Sequence, residues 1–320
     1  MAAPDTLLSA PPRTVTERWM QQLQDELCRQ LALLDGSGEE FERDDWEHAT
    51  GHGSTRVLQQ GDVLEKGGVA FSVFWGALAA ETARQLHLPG PTCFLARLHA
   101  VQFPRNPWVP IMHLSVQYVE AETGEGWFGG SLDLTPVYVD QAQAQWFHAQ
   151  LAALCRAHNA DYYVRFKSAA DNYFYLPHRQ TTLGVGGLYF DRLVLGKDGS
   201  FAQLFAFVRQ LGLTYPRLYN VLVHQNADRP FNTLNKRWQV VRWGHYAEFS
   251  LLLDRDTRLG LATGVPLKNT LLGLPPQAEW PSQLRREANP AEAQSQQWLR
   301  PSVDWLAPNP EPPEGPMAAS

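Results

Sequence analysis

Two stretches of the chain, Phe94 to Phe103 and Met112 to Val119, alternate polar with apolar side chains and are joined by the loop PRNPWVP. In a strand, alternate residues share a face. Met112, Leu114, Val116 and Tyr118 therefore point one way, and His113, Ser115 and Gln117 the other. The preceding stretch divides in the same manner, with Phe94, Ala96, Leu98 and Ala100 opposed to Arg97, His99 and Val101. If the two strands pair as hairpin neighbours, their polar sides coincide, because register fixes which side each strand shows. A solvated face is the bland reading of one such strand. Two coincident polar faces favour the wall of a polar cavity.

Other segments fit a mixed fold built on a largely antiparallel sheet. Val69 to Trp75 reads as a further strand bounded by glycine. Thr14 and Glu17 form a capping-box pair ahead of Trp19, Leu23, Leu27, Leu31 and Leu34, which predicts an amphipathic helix ending at Gly36. Helical runs follow from Asp140 through Leu154, near Phe166 to Leu176, and from Phe201 to Leu211. Gln239 to Asp254 reads as a long strand, with Val241, Trp243, Ala247, Phe249, Leu251 and Leu253 facing the core. Arg242 and Asp254 share its polar face but lie about 40 Å apart unless the strand bends, for which Gly244 is the place. A tight turn then leads to Leu259 to Thr263 as a hairpin partner. No repeat or linker divides the chain. A single domain over residues 14–305 is expected, with loose tails at 1–13 and in the proline-rich 306–320.

Composition narrows the function. Lys plus Arg number 27 against 33 Asp plus Glu, a net charge of −6 without long blocks of either sign, which argues against nucleic acid as a partner. No stretch approaches the roughly 18 apolar residues that span a bilayer. The start MAAPDTLLSAPPR has no basic beginning and no apolar run, so neither a secretory signal nor a transit peptide is expected, and the location predicted is cytoplasmic. Cys28, Cys93 and Cys155 fit no metal motif and suit a reducing compartment as packing residues. His113, His148 and His178 lie far apart in strand, helix and loop contexts, which makes them weak metal candidates, and His148 beside Phe147, Leu151 and Leu154 reads as a structural histidine. GxSxG, Walker and dinucleotide motifs are missing, and GVGGLYF at Gly184 leads into an apolar run rather than a phosphate-binding helix.

Longer strings carry more. RNPWVPIMH (Arg105 to His113), GWFGGSLDLTP (Gly126 to Pro136), DNYFYLPHR (Asp171 to Arg179), GVGGLYFDRL (Gly184 to Leu193) and YAEFSLLLDRDT (Tyr246 to Thr257) occur in this order. Together they resemble the oxygen-dependent coproporphyrinogen III oxidases, over about Trp46 to Trp280. The resemblance implies an α+β fold, a large mostly antiparallel sheet flanked on both faces by helices, and a homodimer. It implies oxidative decarboxylation of two propionates of coproporphyrinogen III to vinyl groups, giving protoporphyrinogen IX in heme biosynthesis. Dioxygen is the co-substrate, no organic cofactor is needed, and a divalent metal is not favoured.

By motif position, His113 resembles the family's proton donor and Asp254 the aspartate that holds the pyrrole nitrogens. Arg242, Ser115, Gln117, Ser72, His99 and Gly264 fall at substrate-binding positions, and His148 and His178 match histidines treated as metal ligands in some bacterial members. The chain also departs from the pattern, which has Arg at Gln117, Ser at His99, His at Phe103, and Gly-Gly-Arg at Gly264, Val265 and Pro266. Charged hydrogen bonds contribute roughly 1.5–3 kcal/mol each, so two lost arginines weaken a tetracarboxylate by roughly 10²- to 10⁴-fold unless replaced. Arg97, Arg105 and Lys268 are the cations near enough in sequence to compensate. The alternatives are a porphyrin-binding or regulatory paralogue without turnover, and an oxidase of a related tetrapyrrole.

Overall fold

The structure, a computed structural model, describes residues 10–281 and 290–311. Seven strands stand side by side as one sheet, each antiparallel to its neighbour: β1 (Glu42–His48), β2 (Gly51–Gln59), β3 (Leu64–Ala77), β4 (Thr92–Pro104), β5 (Ile111–Ala121) and β6 (Gly126–Thr135), then the last strand, Gly186–Val194. A two-residue ribbon, β7 (Tyr175–Leu176) with β8 (Thr181–Thr182), precedes that last strand, which is β9. The stretches expected at Val69 to Trp75, Phe94 to Phe103 and Met112 to Val119 lie inside β3, β4 and β5. β4 and β5 pair as the alternation anticipated, His99 opposite Ser115 and Arg97 opposite Gln117.

One face of the sheet is largely apolar along its middle strands. Met112, Leu114, Val116 and Tyr118 join Ala96, Leu98 and Ala100 in a core with α1 (Pro12–Asp35), α3 (Gln141–His158) and α5 (Phe201–Asn226). Each large side chain buried there contributes about 1.5–3 kcal/mol. The other face carries α6 (Thr233–Glu248), a five-residue π-helical turn (Phe249–Leu253) and α7 (Arg255–Ala262). α2 (Ala80–Gln85) connects β3 to β4, and α4 (Tyr162–Tyr173) packs beside β9. It ends three residues before the limit expected near Leu176, and α5 runs well past Leu211, with Pro216 inside it.

α1 ends at Gly36, whose φ of +73° is the left-handed geometry that glycine reaches without a Cβ clash. Its start differs from the capping-box reading. The helix begins at Pro12, Thr16 Oγ1 donates to the Pro12 carbonyl at 2.8 Å, and Glu17 engages His52 at 3.1 Å instead of closing a box. Pro12 and Arg13 are thus helical rather than part of a tail. At the other end Gln145 Nε2 donates to the Ala307 carbonyl at 2.9 Å, which ties down the first residues of the proline-rich stretch. The remainder of both expected tails, 1–9 and 312–320, lies outside the described residues.

The expected long strand Gln239 to Asp254, with its hairpin partner Leu259 to Thr263, is instead helical up to Leu253 and again over Arg255–Ala262, broken by an extended Asp254. Asn232 caps α6, its side chain accepting from Leu234 N and Asn235 N, while Asn235 reaches back to Asn232 N. The buried side chains Gln239, Arg242, Trp243, Tyr246 and Ala247 recur at the helical period. Two polar residues on that buried stripe hid the period and let the Val241, Trp243, Ala247 pattern pass for alternation. Gly244 makes no bend; a Cβ there would stand 2.6 Å from the Glu279 carbonyl oxygen, so it permits a close approach of chain.

The end of α6 is held by Glu248. Its carboxylate accepts from the Arg179 guanidinium fork, His178 Nε2 at 2.8 Å and Trp280 Nε1 at 2.7 Å, and these bonds, Arg179 foremost, hold its pKa down at about 2 against an ordinary 4.5. A depressed carboxylate stabilises the fold above its ordinary pKa and loses that contribution as pH falls toward the depressed value. Glu248→Gln is expected to cost about 1–2 kcal/mol at neutral pH. Denaturant titrations of the variant should show less acid sensitivity than the parent between pH 4.5 and about 2.

Candidate active site

The polar face of the sheet is a grid. Register places Ser72, Arg97, Gln117 and Gly129 in one row across β3 to β6, Ala70, His99, Ser115 and Ser131 in the next, and Gly68, Val101, His113 and Asp133 in a third. Directly paired residues point to the same face, so these rows look together toward α6 and α7. Apolar clusters close both ends: Val101, Phe103 and Ile111 pack with Trp243, Tyr246 and Phe249, while Leu95 and Val119 pack with Leu259 of α7. Between them lies a narrow cleft of about 70 Å³, short of the roughly 300–1,000 Å³ of ligand sites, so a large ligand has to part its walls. Ser72, Arg97, His99 and His113 line its sheet side, and Asp254, Asp256, Thr257 and Leu259 the helical side. A second groove of about 30 Å³, lined by Ser115, Gln117, Ser131, Tyr189 and Arg255, adjoins it and shares Asp256 and Leu259.

His113 stands opposite Asp133 across the β5–β6 pair, with Nδ1 2.8 Å from Asp133 Oδ1, both buried. Burial alone would lower the His113 pKa. The charge and hydrogen bond of Asp133, with Asp254 and Asp256 behind it, carry it above the usual value. Burial likewise raises Asp133, partly offset by His113. The pair titrates as a unit. An ionised Asp133 accepts from Nδ1, which fixes the tautomer and leaves Nε2 as the ring nitrogen able to exchange a proton with a ligand. The neighbouring His99 ring, 4.8 Å away between centroids, is held well below the usual value by burial and by the charge of His113, so it stays neutral.

Asp254 leaves the π-helical turn in extended geometry and caps α7, accepting from Thr257 N at 2.9 Å and Asp256 N at 3.3 Å. Its oxygens also accept from Thr257 Oγ1 and from Tyr173 OH, both at 2.7 Å. Several buried polar atoms in the two cavities find no hydrogen-bond partner among the described residues, among them Thr55 Oγ1, Arg97 Nε, Gln117 Oε1, Asn269 Nδ2 and Thr270 Oγ1. Buried polar groups are ordinarily satisfied, so this wall has unused capacity for the polar groups of a ligand or for water.

His113, Asp254, Ser72 and His99 are thus brought together on one cleft, and Ser115 and Gln117 face the adjoining groove. Gly264, in left-handed geometry with φ +74°, sits between the cleft residues Thr263 and Val265. Arg242 does not line the cleft. Its guanidinium is buried, donates to the Leu183 carbonyl and to His245 Nδ1, and is lowered to about 10 by burial. The metal candidates do not gather. His148 is buried between Tyr163 OH at 3.0 Å and the Val185 carbonyl at 2.9 Å, with its pKa pushed down to about 3 by burial, as a structural histidine would be, and His178 pairs with Glu248. Among the described residues no three His, Cys, Asp or Glu side chains form a set that could hold a metal ion. The three cysteines are free and buried, and burial raises Cys28 and Cys155 to about 12 and Cys93 to about 11. Among the described helices none is long and apolar enough to cross a membrane.

Asp133, Asp256 and Tyr173 were not singled out in the sequence. For Asp133 the signal was present, since β6 alternation puts it on the face of Ser131 and Gly129, but only the β5–β6 register reveals His113 opposite.

An imidazole oriented by a buried carboxylate, with a second carboxylate on the same cleft, is the arrangement of an acid–base enzyme. The chain belongs to the coproporphyrinogen III oxidase family, whose family model matches residues 15–305. It is 37% identical over 309 residues to the mitochondrial oxygen-dependent coproporphyrinogen-III oxidase of Mus musculus, covering 92% of this chain and 69% of the relative. The Homo sapiens mitochondrial enzyme of the same description is 36% identical over 92% of this chain and 67% of its own length. The oxygen-dependent coproporphyrinogen-III oxidase of Drosophila melanogaster is 35% identical, over 90% and 76%.

Proposed function

We propose that this protein is an oxygen-dependent coproporphyrinogen III oxidase. It converts two propionate side chains of the tetrapyrrole to vinyl groups, giving protoporphyrinogen IX. Each conversion releases one carbon dioxide and passes two electrons to dioxygen. The observation that carries the reading is the His113–Asp133 pair facing Asp254 across one cleft, in a chain of this family. Asp254 offers a carboxylate to pyrrole N–H groups, and His113 exchanges a proton with the macrocycle while Asp133 holds its ring. Neither role calls for an organic cofactor or a metal, and dioxygen reacts as co-substrate with the electron-rich ring. A homodimer and a cytoplasmic location belong to the same proposal; the free, buried thiols suit a reducing compartment.

The rival reading, a binding paralogue without turnover, is favoured by Gln117 and Pro266 at family arginine positions and opposed by the intact proton-transfer pair. Anaerobically prepared coproporphyrinogen III, mixed with the protein and then with air, is expected to yield protoporphyrinogen IX and carbon dioxide. Binding of the tetrapyrrole without vinyl product would establish the rival.

A further inference from the structure

Among the described residues Arg97 is the one Arg or Lys that lines the main cleft, and it already holds a carboxylate. Its Nη2 lies 2.6 Å from Asp256 Oδ2, its Nη1 donates to the Asp256 carbonyl at 2.8 Å, and Ser115 Oγ donates to the same Oδ2 at 2.7 Å. Arg97 and Ser115 belong to the sheet, Asp256 to α7. The ion pair therefore ties one wall of the cleft to the other, and Asp256 borders both the cleft and the groove beside it. Any macrocycle lying along the grid has to part this contact, and parting it joins the two spaces. The side chains are 13% and 20% exposed, so the pair is neither fully solvated nor sealed. Arg97 Nε, buried and without a hydrogen-bond partner among the described residues, leaves one donor of the guanidinium unused.

Resting on the functional reading above, the geometry points to Arg97 as the receptor for one substrate propionate, with Asp256 as an internal carboxylate that occupies its place until substrate displaces it. The incoming carboxylate inherits the guanidinium and the Ser115 hydroxyl, and α7 is released from the sheet. Arg97 stands directly across the β4–β5 pair from Gln117. The guanidinium that Gln117 lacks is thus supplied from the neighbouring strand, in the same row of the grid.

The test is the affinity for coproporphyrin III, the oxidised and unreactive macrocycle, read by quenching of tryptophan fluorescence. Arg97→Gln is expected to weaken binding about 10- to 100-fold, the loss of one charged hydrogen-bonded contact. Asp256→Asn should do the reverse and tighten it by about 2- to 5-fold, since the competing partly exposed ion pair is removed. Adding Gln117→Arg to the Arg97→Gln chain should recover most of the lost affinity. Opposite signs for the two single variants separate displacement from a structural role, in which both would weaken binding. Unchanged affinity in Arg97→Gln, or weakened affinity in Asp256→Asn, overturns the inference. Should Arg97→Gln fail to fold, the Asp256→Asn result decides alone. A parent protein without affinity for coproporphyrin III and without turnover overturns the functional reading itself, whereas a parent that turns over and an indifferent Arg97→Gln overturn only this assignment.

Discussion

Asp133→Asn is expected to lower kcat by about 10²- to 10⁴-fold, the range that a positioned acid–base group supplies. The carboxylate does two things for His113: it holds Nδ1 at 2.8 Å, and it offsets the burial that would otherwise depress the imidazolium. With the anion present, the His113 pKa is raised, so its proton persists at a pH where an ordinary histidine has lost it. If the protonated ring is the working form, activity falls as pH rises through that raised value. Asparagine keeps the shape but removes the charge. Burial then prevails, and the alkaline limb of kcat/KM in the free enzyme moves to lower pH. His113→Ala should show a comparable loss with no such limb. A variant at Asp133 that keeps both rate and pH profile would show that the pair is structural, whatever its geometry.

The second large effect belongs to Asp254, and two substitutions separate its two duties. Asp254→Ala removes the cap of α7 and the acceptor for Tyr173 OH, costing about 1 kcal/mol for the cap alone along with the activity. Asp254→Asn is the sharper probe, because asparagine caps helices about as well as aspartate. The melting temperature should change little. Turnover should fall by about 10²-fold or more if the negative charge faces the pyrrole nitrogens. A fully active Asp254→Asn would reduce the residue to a helix cap.

What the sequence revealed follows from which periods were clean. β4 and β5 each have one face buried against the apolar core and one facing the cleft, so period-two alternation exposed His113, Ser115, Gln117 and His99 together and even their pairing. β6 is buried on both faces, and although Ser131, Asp133 and Thr135 alternate with Leu132 and Leu134, the run is short and begins after two glycines. Its aspartate acquires meaning only through the strand opposite. α6 failed as a prediction for the converse reason. Gln239 and Arg242 lie on its buried stripe, satisfied by the Pro104 and Leu183 carbonyls, and polar residues on a buried face erase the contrast on which a helical period is recognised. The Asn232–Asn235 box was the surviving sign of a helix start. Arg242 was marked both by the assumed strand alternation and by the resemblance, and its partners are the Leu183 carbonyl and His245 rather than groups of the cleft.

The most direct measurement is a structure of the protein with coproporphyrin III bound. The macrocycle should lie in the cleft over the Ala70, His99 and Ser115 row, with the His113 imidazole and the Asp254 carboxylate both within hydrogen-bond reach of its inner nitrogens or bridging carbons. A ring bound on any other surface, or in the cleft but beyond reach of both side chains, would contradict the account.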